Sequence, residues 1–231
     1  MNQQTISDKS PRHLYTIPYL PVLDALDLSS NEIILEQTSL RLPIMINNWP
    51  DQYPYIPITA ADLAYSDTGL YCRFQSRGKG LLAQYIEDGS KVHEDSCVEI
   101  FLQLPGQERY YNFEFNCIGT CDASHRLNRE VSTPFTGQQY DHIHRAASER
   151  RDVLFERPRG LQSFYVSVKI DFQVLGIESV EQLPEYFMGN LYKCGDRTPE
   201  PHFATWQPVH TETPDFHRPE YFQPLYLGPR E

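Results

Sequence analysis

No stretch of this 231-residue chain approaches the ~18 consecutive apolar residues of a membrane-spanning helix. The opening Met1-Asn-Gln-Gln-Thr-Ile-Ser-Asp-Lys-Ser10 has no apolar core of a secretory signal, so the chain as it stands reads as cytoplasmic. Positive charge is scarce: 20 Lys and Arg face 31 Asp and Glu, a net charge of −11. Nucleic acids and anionic membrane surfaces recruit a basic face, and the Arg150-Arg151 pair sits beside Glu149. Both partners are therefore excluded, whereas a neutral ligand suits an acidic protein. The five cysteines, Cys72, Cys97, Cys117, Cys121 and Cys194, are odd in number and irregularly spaced, which argues against a disulfide framework. Cys117 and Cys121 have no second pair with which to build a zinc ribbon. Cys97 and Cys117 lie in apolar runs and read as small buried hydrophobes. There is no glycine-rich phosphate loop and no Gly-x-Ser-x-Gly elbow.

Aromatic residues and proline are plentiful. The chain has 15 Tyr, 12 Phe and 18 Pro. Proline breaks helix interiors, so these counts favour strands joined by loops. Forty per cent apolar residues is enough to build a core. Residues 1–30 read as an extended lead-in packed on the domain, and residues 31–231 as one unit. Residues 31–46 suggest one or two short strands. Ala61 to Tyr65 and Leu70 to Gln75 flank the turn Asp67-Thr68-Gly69 as a hairpin, and Leu81 to Ile86 follows as a further strand. The clearest hairpin pairs Cys97 to Leu104 with Arg109 to Ile118 across Pro105-Gly106. Residues 123–160 read as long loops around one or two strands. Ser163 to Phe172 alternates almost throughout: Phe164, Val166, Val168, Ile170 and Phe172 point one way, polar residues the other. Segments 189–194 and 203–207 look like closing strands. Many short strands at this spacing imply an all-β antiparallel sandwich with long loops.

On strand 109–118 the period-2 rule places Tyr110, Asn112, Glu114 and Asn116 on one face. Amides and carboxylates in a row suit sugar hydroxyls, which both donate and accept. A solvated strand face would carry the same pattern. Glu99, on the partner strand, shares its face with Cys97, Phe101 and Gln103. Glu99 and Glu114 could alternatively form a glycosidase pair, for which two carboxylates about 5 to 10 Å apart suffice. His142 and His144 share a strand face at a spacing that can bind metal, and exposed loop histidines would show it too.

Two runs, Glu94-Asp-Ser-Cys-Val-Glu-Ile-Phe-Leu102 and Tyr110-Tyr-Asn-Phe-Glu-Phe-Asn-Cys-Ile-Gly-Thr120, resemble the family 9 carbohydrate-binding modules in their Bacteroidetes-type branch. So do Trp49-Pro-Asp-Gln-Tyr-Pro-Tyr55, Tyr192-Lys-Cys-Gly-Asp196, Pro201-His-Phe-Ala-Thr-Trp-Gln-Pro208 and Thr213-Pro-Asp-Phe-His-Arg-Pro-Glu-Tyr-Phe222. These blocks cover most of residues 45–227. The resemblance implies a DOMON-like sandwich that binds mono- or oligosaccharides, or the ends of glucan or xylan chains, in polysaccharide use. It also implies a possible structural calcium, and relatives that are often exported. In the family two tryptophans sandwich the terminal sugar, one of them six residues before a glutamate that contacts its hydroxyls. Here that glutamate is Glu99 and the aromatic position is His93; Trp206 or Tyr192 would supply the second platform. The expected ligand-binding set is His93, Glu99, Asn112, Glu114, Asn116 and Trp206. DOMON relatives can also hold haem between Met and His, but Met45 and Met188 lie in no pocket motif. A third possibility is a scaffold whose old site is plugged by its own side chains.

Overall fold

Period-2 alternation lets a strand bury one set of side chains between two sheets while the other set faces outward. The computed structural model describes residues 14–230. In chain order its strands are β1 (Thr16–Ile17), β2 (Leu40–Pro43), β3 (Ile58–Tyr65), β4 (Gly69–Ala83), β5 (Cys97–Gln103), β6 (Tyr110–Asn116), β7 (Cys121–Arg126), β8 (Ser132–Pro134), β9 (Ile143–Ala147), β10 (Phe155–Asp171), β11 (Tyr186–Cys194), β12 (Phe203–Thr205) and β13 (Gln223–Leu227). Two short helices, α1 (Glu32–Thr38) and α2 (Gly137–Tyr140), lie among them. An eight-stranded sheet runs β1-β13-β11-β5-β6-β7-β8, with β12 on β11; a five-stranded sheet runs β2-β3-β4-β10-β9. Apart from the parallel β1–β13 edge, the pairings are antiparallel. This is the all-β sandwich that the sequence pattern implies.

The core lies between the sheets. Val166, Val168 and Ile170 of β10 meet Val98 and Ile100 of β5 and Phe113 and Phe115 of β6, all fully buried. Each such side chain contributes about 1.5–3 kcal/mol by leaving water. The β5–β6 hairpin turns at Gly106, whose φ of 75° lies in the left-handed region that glycine adopts without strain. Its register sets Glu99 opposite Glu114.

Two local expectations change. The run 31–46 opens with α1 before β2, so the Ile33-Ile34-Leu35 run is helical, not extended. Only one side of that turn packs, with Leu35 buried and Ile33 67% exposed. Leu81 to Ala83 is the end of β4 and not a separate strand, because β4 passes through a bulge at Gly80, where the register with β10 shifts between Arg157 and Leu161. Strand β13 also joins the sheet without a clear sequence signal. Of the lead-in, residues 1–13 lie outside the described residues. From Leu14 onward it packs on the sandwich: Ile17 is buried in the core and Leu20 N donates to Tyr65 O at 2.7 Å.

The outer face of the eight-stranded sheet is buried as well. Trp49, Phe101, Tyr110, Tyr192, Phe216 and Phe222 form a second apolar cluster there, closed by the irregular segments around residues 49–53 and 209–222. This cover turns a sheet face into the wall of a cleft. Replacing Phe113 by Ala should cost about 3–5 kcal/mol of stability in denaturant unfolding. Ile58→Ala, at a side chain 68% exposed, should stay within ~0.5 kcal/mol.

Candidate functional site

Strands β11, β5, β6 and β7 are consecutive in the sheet. Their registers put Tyr192 opposite Glu99, Glu99 opposite Glu114, and Glu114 opposite Asp122. Neighbouring strands are ~4.8 Å apart, so three carboxyl groups stand in one row on one face. Glu99 is 2% and Glu114 4% exposed. Above them is a cleft of about 510 Å³. His93 and Asp196 border it, His217 and Arg126 line it, and Phe203 and Phe216 supply apolar surface.

The row cannot carry three charges at this spacing. Burial, and then the charge of Glu114, hold the Glu99 carboxyl well above the usual range, with the Cys194 thiol donating to its Oε1 at 3.0 Å in opposition. Burial also pushes Glu114 up, but the His93 imidazole outweighs it, helped by His217 and Arg126, and Glu114 ends below the ordinary carboxylate value. His93 Nδ1 sits 3.6 Å from Glu114 Oε2, and that contact raises the imidazole, against the opposing effect of its own burial. Asp122 is pushed up to about 6 by burial and by Glu114. Glu114, the middle member, thus ionises most readily, ahead of Glu99 and Asp122, whose carboxyls are both pushed up. Burial drives His217 down to about 4, so it is neutral at pH 7; its Nδ1 shares a hydrogen bond with Tyr110 Oη at 3.0 Å.

Of the residues expected from sequence, His93, Glu99 and Glu114 meet in the cleft. Asn112 lies one layer behind. Arg126 Nε donates to its Oδ1 at 2.7 Å, which turns its Nδ2 toward Glu114 Oε1 at 2.9 Å. It positions Glu114 and does not reach the cleft itself. Asn116 spends its whole amide on the protein: Nδ2 donates to Tyr85 O and Asp95 Oδ2, and Oδ1 accepts from Thr120 N. It is a structural clamp and not a ligand contact. Trp206 is 4% exposed and packs in the core between the sheets, edge-on to Tyr15 at 4.7 Å, so it cannot be a platform in this cleft. Tyr192 is fully buried beneath Phe216, stacked at 4.3 Å. The space beside His93 therefore has no plug from Trp206. His142 and His144 both lie 3.2 Å from Asp171 Oδ2 on the five-stranded sheet, away from the cleft.

The aromatic surface of the cleft comes from residues that the sequence reading passed over. Phe203 meets Tyr53 edge-on at 4.7 Å, and Trp49 backs both Phe203 and Phe216. Alternation within β12 carried the signal: Ala204 and Trp206 share a parity and face the core, which turns Phe203 to the other side. Asp122 was legible only through the β6–β7 register. Phe216 and His217 come from irregular chain and leave no periodic trace. Asp196 is positioned because its N–H donates to His93 O at 3.1 Å. That turn requires Gly195, where a Cβ would come within 2.7 Å of His202 and Thr198.

The structural calcium implied by the family resemblance needs six to eight oxygen donors. Among the described residues, the cluster of three ligating side chains within 4.8 Å is Cys97, Glu99 and Cys194, which offers two sulfurs and one carboxylate. This donor set does not fit calcium. No helix among the described residues is long and apolar enough to cross a membrane.

Comparison with known proteins follows the same lines. The model of carbohydrate-binding family 9 matches residues 29–227. A protein of Bacteroides uniformis proposed to bind carbohydrate shares the fold with a TM-score of 0.85 at 27% identity, over 92% of this chain and 98% of that one. A family 9 module of Caldicellulosiruptor kristjanssonii, solved with glucose, aligns at a TM-score of 0.47 and 10% identity over 82% of this chain and 92% of its own. No protein of curated function matches the chain. The fold and the family match define a β-sandwich domain of the carbohydrate-binding class. The chain belongs to carbohydrate-binding family 9.

Two outcomes follow from the site's layout. Trp206→Phe should lower stability while leaving the cleft's chemistry intact. For Asp122 the folded group binds its proton up to about pH 6, above the unfolded value of 3.8, so its contribution to stability falls as pH rises through that window. Asp122→Asn should therefore raise the melting temperature at pH 7.5, with the gap closing by pH 4; a gap that is the same at both values would contradict the assignment.

Proposed function

We propose that the cleft holds the terminal residues of a neutral glucan or xylan chain, as the binding component of polysaccharide use. The observation that carries this reading is Glu114 Oε2. It lies at the cleft floor on a carboxyl held below its ordinary value, and its one charged neighbour, His93 Nδ1 at 3.6 Å, is beyond hydrogen-bond distance, so no group among the described residues donates a hydrogen bond to it. Such an acceptor is costly unless something donates to it. A sugar hydroxyl can do so, and the neighbouring Glu99, whose carboxyl is held well above the usual range, can offer an O–H to a second hydroxyl. Arg126 and the His217 ring supply further polar contacts, and Tyr53, Phe203 and Phe216 offer apolar surface for sugar C–H groups. Five carboxyl groups against two arginines in the lining favour a neutral ligand over a uronate. The volume suits a small ligand. Asp122 and Arg126 also line an adjoining groove of about 700 Å³, which gives a longer chain room to continue.

Glycoside hydrolysis fits less well. A glycosidase pair brackets the scissile bond, with acid and nucleophile or base on opposite sides of the sugar. Glu99 and Glu114 rise side by side from one sheet face and approach a ligand from the same side.

Calorimetry with oligosaccharides of glucose and of xylose tests the proposal. The wild type should bind one series in the micromolar-to-millimolar range. Glu114→Gln should weaken binding by about 10- to 100-fold, since hydrogen bonds to charged groups contribute ~1.5–3 kcal/mol. Phe203→Ala should weaken it severalfold. Silence across both series, or full affinity in Glu114→Gln, would overturn the reading.

A further inference from the structure

Beneath the carboxylate row lies a group that sugar recognition does not require. Cys97 and Cys194 stand directly opposite each other on β5 and β11. Both are buried, at 0% and 1% exposure, and both are free thiols. Cys194 Sγ lies 3.0 Å and Cys97 Sγ 4.0 Å from Glu99 Oε1, and the three ligating atoms fall within 4.8 Å of one another. Tetrahedral zinc, with bonds of ~2.3 Å to sulfur and ~2.1 Å to oxygen, would need ligand separations of about 3.8 Å between sulfurs and about 3.6 Å from sulfur to oxygen. The two sulfur-to-oxygen distances bracket the second value, and the sulfurs lie within 4.8 Å of each other, so small side-chain adjustments would bring all three to the metal. The ligands come from two adjacent strands of a central sheet, which fixes their relative positions better than loops would.

We propose that Cys97, Cys194 and Glu99 form a binding site for a thiophilic divalent cation of the zinc class, open to the cleft at its fourth position. Two sulfurs and a carboxylate select zinc-like ions over calcium or magnesium. Access comes from above, because Glu99 and Cys194 line the cleft while Cys97 lies behind them. Binding would release a proton from each thiol and take the Glu99 carboxyl as carboxylate, leaving two thiolates, a carboxylate and the metal with a net charge of −1. The Lys193 ammonium, whose Nζ donates to Cys194 O at 2.6 Å, lies close enough to offset that charge. A water or a ligand hydroxyl would complete the tetrahedron. The site shares Glu99 with the sugar floor, so a bound ion would take the O–H that Glu99 offers there, but its test needs no sugar.

Cobalt(II) serves as the probe. The full chain, stripped with chelator and kept reduced with a phosphine, should bind one cobalt per chain with a near-ultraviolet sulfur-to-metal charge-transfer band and visible bands of tetrahedral cobalt. Zinc should displace it. Cys97→Ser and Cys194→Ser should each remove at least half of the charge-transfer intensity and weaken binding at least tenfold. Glu99→Gln should keep the band but weaken binding, which shows a folded protein with its sulfurs in place. His142→Ala/His144→Ala should change nothing. Absence of the band in the wild type, or a band that survives both cysteine substitutions, overturns the site; a band lost only in the histidine variant moves the metal to the surface.

Discussion

Everything distinctive about the cleft depends on three acidic side chains that the sheet forces into one row. Glu99, Glu114 and Asp122 sit opposite one another on β5, β6 and β7, on a face that the chain then covers. Like charges at strand spacing under a low-dielectric cover cannot all persist. The row resolves this by asymmetry. His93 and Arg126 lie nearest the middle carboxylate, the latter through Asn112, and the charge settles there. The outer members keep their protons longer. The result is a donor and an acceptor side by side at the floor, a pairing that suits hydroxyl groups better than either charge alone would.

The cover matters as much as the row. Tyr192 and Phe216 stack at 4.3 Å, and the Tyr192 hydroxyl donates to Phe216 O at 3.1 Å, pinning the C-terminal segment to the sheet. Trp49 reaches the same segment through its indole N–H, which donates to Thr211 O at 2.8 Å. Those contacts hold Asp215, Phe216 and His217 over the carboxylates. Where family resemblance implies an indole, this chain has His93, whose imidazole lowers the Glu114 carboxyl from 3.6 Å. The apolar surface of the cleft comes instead from Phe203, Phe216 and Tyr53.

Much of the fold was legible in the sequence. Residues 163–172 alternate so cleanly that their inward set, Phe164 to Phe172, is buried as alternation implies. The 97–118 hairpin was equally plain, because a turn with glycine separates two strand-like runs. The site was legible in part. Period 2 placed Asn112, Glu114 and Asn116 on one face, but it does not say what covers that face, and the cover decides that Glu114 faces a cleft while Asn116 is consumed by Asp95 and Tyr85. Trp206 illustrates the opposite failure. Tryptophan's identity suggested a sugar platform, whereas the parity of β12 sends it to the core. Residues 33–35 looked strand-like through apolar composition, yet a single buried leucine is enough to dock a short helix. Phe216 and His217 escaped notice because irregular segments carry no period.

The central claim is that the three carboxyls of the row ionise unequally, the middle one first. The direct test is to follow the side-chain carboxyl carbons of Glu99, Glu114 and Asp122 by NMR from pH 3 to 8, in the wild type and in His93→Ala. The account expects Glu114 to titrate below the ordinary glutamate range, Asp122 near pH 6, and Glu99 well above the ordinary range. Removing His93 should move Glu114 upward. Three carboxyls that all titrate near their ordinary values, unaffected by His93, would contradict it.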